Sequence, residues 1–218
     1  MIRSDYIMRM IEQLSRVLVQ IVFHKKNGEY EQAIIQINTA LKSLVGLDPE
    51  IIRTLPAEEI IRLLHIGDQL EAGKCLVIAK LLKERTEILQ LSDPTNQSLS
   101  ESYQKSISLS LEAILSIPDF KETEYLQDVN ELISLLEGST LSQPVKFKLF
   151  RYYDWSGEYA TAENLLFQLV EVDYPEIRPI GILFYRRLQK KSDADLILGG
   201  LPRPEVEEGL REISDHKK

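Results

Sequence analysis

The chain has 218 residues, of which 44% are hydrophobic and 28% charged, so it can bury a substantial apolar core without disulfide bonds. Its 34 acidic and 26 basic side chains give a formal net charge of −8, which disfavours broad contact with nucleic acid. The single cysteine, Cys75, excludes an intramolecular disulfide and a cysteine-based metal site, and it fits a reducing compartment.

The amino-terminal segment favours a cytoplasmic location over secretion or membrane insertion. It contains Asp5 in the region where a signal peptide carries only basic residues. The most apolar early run, 17–23, is far shorter than the roughly 20 residues that span a bilayer. We therefore expect a cytoplasmic protein with no membrane-spanning segment and no membrane partner.

A long amphipathic helix is predicted at the start of the chain, because apolar residues recur every three or four positions up to Lys26. Asn27-Gly28 interrupts this pattern, and a second apolar stripe follows over 30–44. Two helices joined by so short a turn must pack antiparallel. Three further apolar residues widen the surface of the first helix: Met8, Val19 and Phe23. This extra surface predicts contact with a second neighbour or with a second copy of the chain.

The middle of the chain is predicted to contain a buried central helix. Pro49 and Pro56 each open a short helical segment. Residues 70–91 are apolar around most of the helix circumference in their first half, which is typical of a helix in the middle of a bundle. Small polar residues predict breaks at 92–98 and at 138–144, with helices between them at about 99–117 and 121–137.

Three more helices are predicted at about 144–156, 159–172 and 176–189, followed by a short one after Ser192. Residues 201–218 alternate proline, acidic and basic residues with little apolar content, so we expect a mobile or weakly helical tail. No segment alternates polar and apolar residues with period two over a useful length. The chain is therefore predicted to be all-α, with one helical domain over residues 1–200.

An internal repeat marks the two clearest turns between helices. The pattern Gly28-Glu29-Tyr30-x-x-Ala33 recurs in the second half of the chain as Gly157-Glu158-Tyr159-x-x-Ala162. In each copy the glycine is expected to end a helix, the tyrosine to pack across the turn, and the alanine to let two helices approach closely. The segment 67–73 is a looser third copy.

These turns resemble those of tetratricopeptide repeats, whose consensus has glycine, an aromatic residue and alanine at this spacing. The best match is 142–175, where Leu149 and Tyr153 occupy first-helix consensus positions, whereas Lys146 and Phe150 replace a tryptophan and a small residue. The resemblance implies stacked antiparallel helical hairpins in an α–α superhelix. As a whole, the chain also resembles an uncharacterised family of bacterial tetratricopeptide-like proteins that begin with a similar Ile-Arg-Ser-Asp-Tyr segment, which implies no known activity.

The residue types that enzymes use form no recognisable catalytic pattern in this sequence. His24, His65 and His216 lie far apart and lack the Glu-x-x-His spacing of helical metal sites. Phosphate-binding loops, zinc-protease motifs and nucleophile elbows are absent from the sequence. Apolar residues follow Cys75, which favours a buried, inert thiol. We expect no catalytic residue, no metal and no cofactor.

The tetratricopeptide resemblance implies a concave groove, lined by the first helix of each hairpin, that accepts a peptide or a partner helix. Carried onto 142–175 and the helix after it, the resemblance places four residues on the groove side: Phe147, Arg151, Phe184 and Arg187. Aromatic anchors beside arginines suit peptide recognition. The competing interpretation is that both phenylalanines pack against neighbouring helices inside a bundle.

The leading functional hypothesis is a non-enzymatic scaffold or adaptor that holds a protein or peptide partner in this groove. The alternative is a regulatory or sensory subunit that binds a small ligand and forms a homodimer through its first helix. A stoichiometric protein partner would favour the first hypothesis, and a bound small molecule would favour the second.

Overall fold

Helices make up most of the chain. In the computed structural model, residues 2–118, 120 and 123–215 are described, with side chains from residue 6 onward. The helices in this part of the chain are α1 (Ile2–Lys26), α2 (Tyr30–Ala40), α3 (Pro49–Thr54), α4 (Ala57–Leu63), α5 (Ala72–Ser92), α6 (Leu99–Ser116), α7 (Thr123–Leu135), α8 (Gln143–Ser156), α9 (Tyr159–Glu171), α10 (Ile177–Leu188), α11 (Asp193–Leu198) and α12 (Arg203–Asp215). The prediction of an all-α protein is confirmed.

Two short elements depart from this α-helical pattern. A π-helical turn, Leu41–Val45, continues α2. Strands β1 (His65–Ile66) and β2 (Gln69–Leu70) form an antiparallel hairpin in which His65 lies opposite Leu70. The looser third copy of the glycine repeat therefore turns a β-hairpin rather than a helix pair, because only Gly67-Asp68 separates the two strands.

Contacts between residues divide the chain into two units, 1–140 and 141–218. The boundary lies within the predicted break at 138–144. The other predicted break, 92–98, is a loop inside the first unit, since α5 and α6 on either side of it pack along each other. The single domain over residues 1–200 stays a prediction, and the two units are described separately.

Helix α5 is the centre of the first unit, as its apolar circumference predicts. Helices α1, α2 and α6 and the π-helical turn pack around it. The buried residues of its first half are Ala72, Gly73, Cys75, Leu76, Val77, Ile78, Ala79, Leu81 and Leu82. The Ser106 hydroxyl of α6 donates a hydrogen bond of 2.7 Å to the backbone carbonyl of Ala79, which fixes the contact between the two helices.

The two Gly-Glu-Tyr turns share one backbone geometry. Gly28 and Gly157 are both in the left-handed region, with φ of 74° and 90°. The glutamate N–H that follows each glycine bonds to the carbonyl oxygen five residues earlier, which is the helix-ending bond of a Schellman motif. These bonds join Glu29 N to His24 O at 2.9 Å and Glu158 N to Tyr153 O at 2.8 Å. The alanines of the pattern are buried where the helices meet: Ala33 and Ala162.

The second unit contains two helix pairs, α8 with α9 and α10 with α12, and the short α11 lies in the connection of the second pair. Its core is aromatic and aliphatic. The buried residues are Phe150, Tyr159, Ala162, Leu166, Leu169, Ile177, Phe184, Tyr185, Leu188, Leu196, Leu201, Val206 and Ile213.

The segment 201–218, expected to be a mobile or weakly helical tail, instead contains α12, and residues 216–218 lie outside the described part of the chain. Val206 and Ile213 of α12 are buried, with the half-buried Leu210 between them. This spacing of four and three residues forms one narrow apolar stripe, which is enough to dock a helix although its average composition is polar. The low apolar content of this segment therefore gave no indication that α12 packs against the rest of the unit.

Candidate functional site

The residues predicted to bind a partner lie on two neighbouring helices of the second unit. Pro144 stands in the first turn of α8, and Gly157 ends the helix with a left-handed backbone. The Phe150 and Phe184 rings meet edge to face, with centroids 5.5 Å apart, and Asp154 pairs with Arg187 one turn further along both helices. Because both contacts join residues at nearly the same offset, α8 and α10 run parallel.

Phe147 lies half-buried on α8, between the core and the surface. Its ring centroid is 5.3 Å from that of Tyr174, in the α9–α10 loop, and 6.3 Å from that of Phe150. The ring therefore has neighbours on two sides. One part of it remains available at the surface, because Phe147 packs against the core cluster without being enclosed by it.

Phe184 occupies a different place from the one that the tetratricopeptide resemblance implies. Only 2% of its surface is exposed, and its ring contacts Phe150 and Tyr185 within the core. Phe184 therefore packs in the core between α8 and α10 and does not face a groove. For this residue the structure has the packing that the competing interpretation describes.

Arg187 forms an ion pair with Asp154 and lies over the Phe184 ring, with its guanidinium carbon 5.9 Å from the ring centroid. Burial raises the pKa of Asp154 above its usual value, although the positive charge of Arg187 acts in the opposite direction. About half of the Arg187 side chain remains exposed. Its guanidinium group can therefore offer further donors to a bound carboxylate.

Arg151 lies exposed on α8, one turn from Phe147 and one turn from Trp155. It forms no ion pair with any residue that the structure describes. Of the four predicted residues, Phe147, Arg151 and Arg187 thus reach the surface of α8 and α10, whereas Phe184 does not.

Two exposed apolar residues extend this surface and were not predicted from the sequence. Leu183 of α10 is 63% exposed and lies one turn before Arg187, and Trp155 of α8 is 43% exposed. Each lies one helical turn from an arginine on the same helix, and this spacing could have indicated in the sequence that they share a surface with the arginines. We call the surface formed by Phe147, Arg151, Trp155, Leu183 and Arg187 the α8–α10 face.

A second cluster, of charged side chains, lies in the first unit, where three lysines meet five acids. We call it the α5 charge network, and its members are Lys25, Lys80, Lys83, Glu84, Glu87, Glu124, Asp128 and Glu131. It joins α1, α5 and α7. The Lys25 ammonium lies 2.6 Å from a carboxylate oxygen of each of Glu84 and Glu87.

Lys83 is the most enclosed cation of this network. Burial alone would lower its pKa, but hydrogen bonds from its ammonium group to Asp128 and Glu131 raise the pKa above its usual value. The Asp128 carboxylate also accepts a hydrogen bond from Lys80 at 2.6 Å. Each lysine in the network is therefore matched by at least one carboxylate, which fits a structural role in holding helices together better than a reactive one.

The other candidates for chemistry do not converge on a site. His24 lies 2.5 Å from a carboxylate oxygen of Glu29, and His65 lies 2.8 Å from the backbone carbonyl of Ile61. His216 lies outside the described residues. Cys75 is buried. In the described ranges, no group of three or more His, Cys, Asp or Glu side chains is arranged to hold a metal ion.

Several apolar residues of α1 are exposed in the described part of the chain. Val19 is 71% exposed and Phe23, one turn later, is 60% exposed, and Met8 also reaches the surface. The opposite face of α1 packs into the first unit. No described helix combines the length and the apolar character needed to cross a bilayer.

No curated protein and no solved structure is similar to this chain at a significant level. The sequence model of one family matches it over its whole length, residues 1–218. The chain therefore belongs to DUF6483, a family of unknown function.

Proposed function

We propose that this protein is a non-enzymatic interaction module that binds an acidic segment of a partner protein on its α8–α10 face. The observation that carries this proposal is the juxtaposition of exposed arginines and exposed apolar side chains on two parallel helices. Both groups are needed, because the apolar side chains supply affinity and the arginines supply orientation and charge selection.

The register of these helices supports a tetratricopeptide-like arrangement. The tetratricopeptide repeat has a period of about 34 residues, and the first helices of its successive hairpins lie side by side and line the binding surface. Phe150 and Phe184, whose rings are in contact, are separated in the sequence by one such period. The Gly157 turn and the buried Ala162 between them add to the likeness.

The charge of the surface favours an acidic partner. Arg151, Arg186, Arg187 and Lys190 are exposed on or beside the α8–α10 face, and the nearby acid Asp154 is already paired. Their positive charges contrast with the net charge of −8 of the whole chain. A partner segment with carboxylates beside a leucine or an aromatic residue would match both the arginines and the apolar side chains of the face.

The experiment is selection of binders from a display library of random short peptides, followed by affinity measurement with variants. We expect the selected peptides to be rich in Asp and Glu and to contain an apolar anchor. Arg151→Glu should weaken their binding about tenfold or more, because a charge-assisted contact becomes a repulsion. Arg211→Glu, at an exposed arginine of α12 outside the face, is the matched control and should bind as the unchanged protein does.

The proposal would be wrong if Phe147→Ala and Arg151→Ala left peptide binding unchanged while the protein stayed folded. Selected peptides without acidic residues would also contradict it. Binding should weaken as the salt concentration rises, since exposed charges are screened beyond about 10 Å at 0.1 M ionic strength.

A second candidate function is homodimerisation through α1, as part of a regulatory subunit. Val19 and Phe23 support it, because they form an exposed apolar pair on one face of the helix. Sedimentation of the protein with and without Val19→Glu would separate the two ideas. A dimer that becomes a monomer in the variant supports this candidate, and a monomer in both cases rejects it.

A further inference from the structure

A cavity of about 390 Å³ lies in the second unit, between the end of α9, the α9–α10 loop and α12. Its volume falls within the range of small-molecule sites, which is about 300–1,000 Å³. The loop turns at Asp173, which has a left-handed backbone with φ 49°, an uncommon conformation for a residue other than glycine. The cavity is separate from the α8–α10 face.

Arg178 of α10 brings a partly buried positive group to this cavity. One of its terminal nitrogens, Nη2, lies 3.6 Å from a carboxylate oxygen of Asp173. The other, Nη1, is shielded from solvent and has no hydrogen-bond partner among the described residues. A buried donor without a partner is costly, so an acceptor placed in the cavity would relieve that cost.

The lining determines which acceptor would suit the site. Phe167, Val170 and Ile213 contribute apolar surface, and Ile213 is buried. The remaining lining residues are three exposed acids: Glu171, Asp173 and Glu212. Arg178 already pairs with Asp173, and the exposed carboxylate of Glu171 adds negative charge to the rim, which disfavours a simple anion such as phosphate. A ligand that carries a carboxylate and an ammonium group satisfies both parts of the lining.

We propose that the cavity binds a free α-amino acid or a similar small zwitterion. The ligand carboxylate accepts a hydrogen bond from Arg178 Nη1, its ammonium group faces the acidic rim at Glu171, and its side chain lies against Phe167 and Val170. The apolar lining favours amino acids with aliphatic or aromatic side chains over charged ones. Through this site the protein would bind a small molecule separately from a protein partner on the α8–α10 face.

The test is isothermal titration of the full chain with each of the standard L-amino acids, and separately with acetate and inorganic phosphate. We expect saturable binding of at least one apolar amino acid and no comparable binding of acetate or phosphate. Arg178→Met should weaken this binding at least tenfold, since it removes a charge-assisted hydrogen bond while keeping most of the side-chain volume. Arg16→Met, at an exposed position of α1 in the first unit, is the matched control and should leave the affinity unchanged.

Each other result overturns the proposal in a definite way. Absence of binding for all probes shows that the cavity takes no amino acid, and equal binding of phosphate shows a plain anion site. Equal affinity in Arg178→Met would mean that the ligand binds elsewhere. If Arg178→Met does not fold, Glu171→Gln at the exposed rim replaces it, with an expected loss of affinity of roughly threefold for the amino acid. An unchanged affinity in that variant would also reject the assigned orientation.

Discussion

The two units of this protein differ in the side chains that they bury. In the first unit, the central helix α5 buries Lys83 and Glu84 beside its apolar residues, and their partners are Asp128 of α7 and Lys25 of α1. In the second unit, the interior is aromatic and aliphatic, and α12 approaches α10 so closely that glycine is required at the contact. The first unit thus adds matched charges to an apolar core, whereas the second unit depends on close apolar packing.

This difference teaches which changes each unit can tolerate. A buried ion pair contributes little net stability, yet removal of one partner leaves an uncompensated charge, which is strongly destabilising. A close-packed apolar interior loses stability through added or removed volume instead. Loss of charge should therefore damage the first unit, and added volume should damage the second.

The largest effect is expected for Asp128→Asn in the α5 charge network. Its carboxylate is paired with both Lys80 and Lys83, so the change removes the shared counter-charge of two enclosed ammonium groups. We expect the free energy of unfolding to fall by about 3–5 kcal/mol. Urea unfolding followed by far-ultraviolet circular dichroism measures this change.

The matched control is Glu131→Gln, which removes a carboxylate that also pairs with Lys83 but is 62% exposed. An exposed pair contributes at most about 1 kcal/mol, so the control should be nearly neutral. Equal effects of the two variants would show that the enclosure of Asp128 does not matter. The only tryptophan, Trp155, belongs to the second unit, so its fluorescence shows in the same experiment whether that unit unfolds at the same urea concentration.

The second largest effect is expected for Gly209→Ala, which tests the shape dependence of the second unit. A Cβ atom on Gly209 would overlap the ring of Tyr185, which is fully buried and hydrogen-bonded to Glu163. The ring cannot easily move away. We expect a loss of about 1–2 kcal/mol, because overpacking of about 1–3 kcal/mol exceeds the gain of roughly 1 kcal/mol in helix propensity.

Glu208→Ala, at the neighbouring exposed position of α12, is the control for this substitution and should change stability by less than about 0.5 kcal/mol. Urea unfolding monitored by Trp155 fluorescence gives both values. A Gly209→Ala variant that is more stable than the original protein would show that α12 does not pack against Tyr185.

The fold could be predicted from the sequence where local signals determine the structure. Gly28 and Gly157 correctly indicated two helix ends, because glycine adopts the left-handed backbone needed there without the steric strain that other residues have. The apolar circumference of α5 marked its central position. The helix α12 could not be recognised with the same ease, because its stability comes from a few residues docked on Gly181 and Tyr185, which are distant in sequence.

The candidate sites depend even more on distant partners. Lys80, Lys83 and Glu87 lie on one face of α5, a spacing visible in the sequence, but their pairing with Asp128 requires α7, which is distant in the sequence. The burial of Phe184 likewise depends on Phe150 of a neighbouring helix. Similarly, the cavity at Arg178 is formed by α9, α10 and α12 together, so no single segment indicates it.

The smallest effect concerns the pH dependence of stability. The two units are expected to lose stability in different pH ranges. Burial raises the pKa of Glu163 above its usual 4.5, and the hydrogen bond from Tyr185 only partly opposes this. Above pH 4.5 the folded second unit therefore holds more protons than the unfolded chain, and its stability falls as the pH rises through that range. The raised pKa of Lys83 also makes stability fall with rising pH, but only in strong alkali, above 10.5.

Glu163→Gln should abolish the acidic-range slope of the second unit, because it removes the titrating group while its amide oxygen can still accept the Tyr185 hydrogen bond. The amplitude is expected to be less than about 1 kcal/mol, since Glu163 is only partly buried. Urea midpoints from Trp155 fluorescence at several pH values above 4.5 measure the slope. Glu207→Gln, at an exposed position of α12, should keep it. A slope that persists in Glu163→Gln would assign the proton to another carboxylate, of which Asp154 is the next to test, because burial raises its pKa as well.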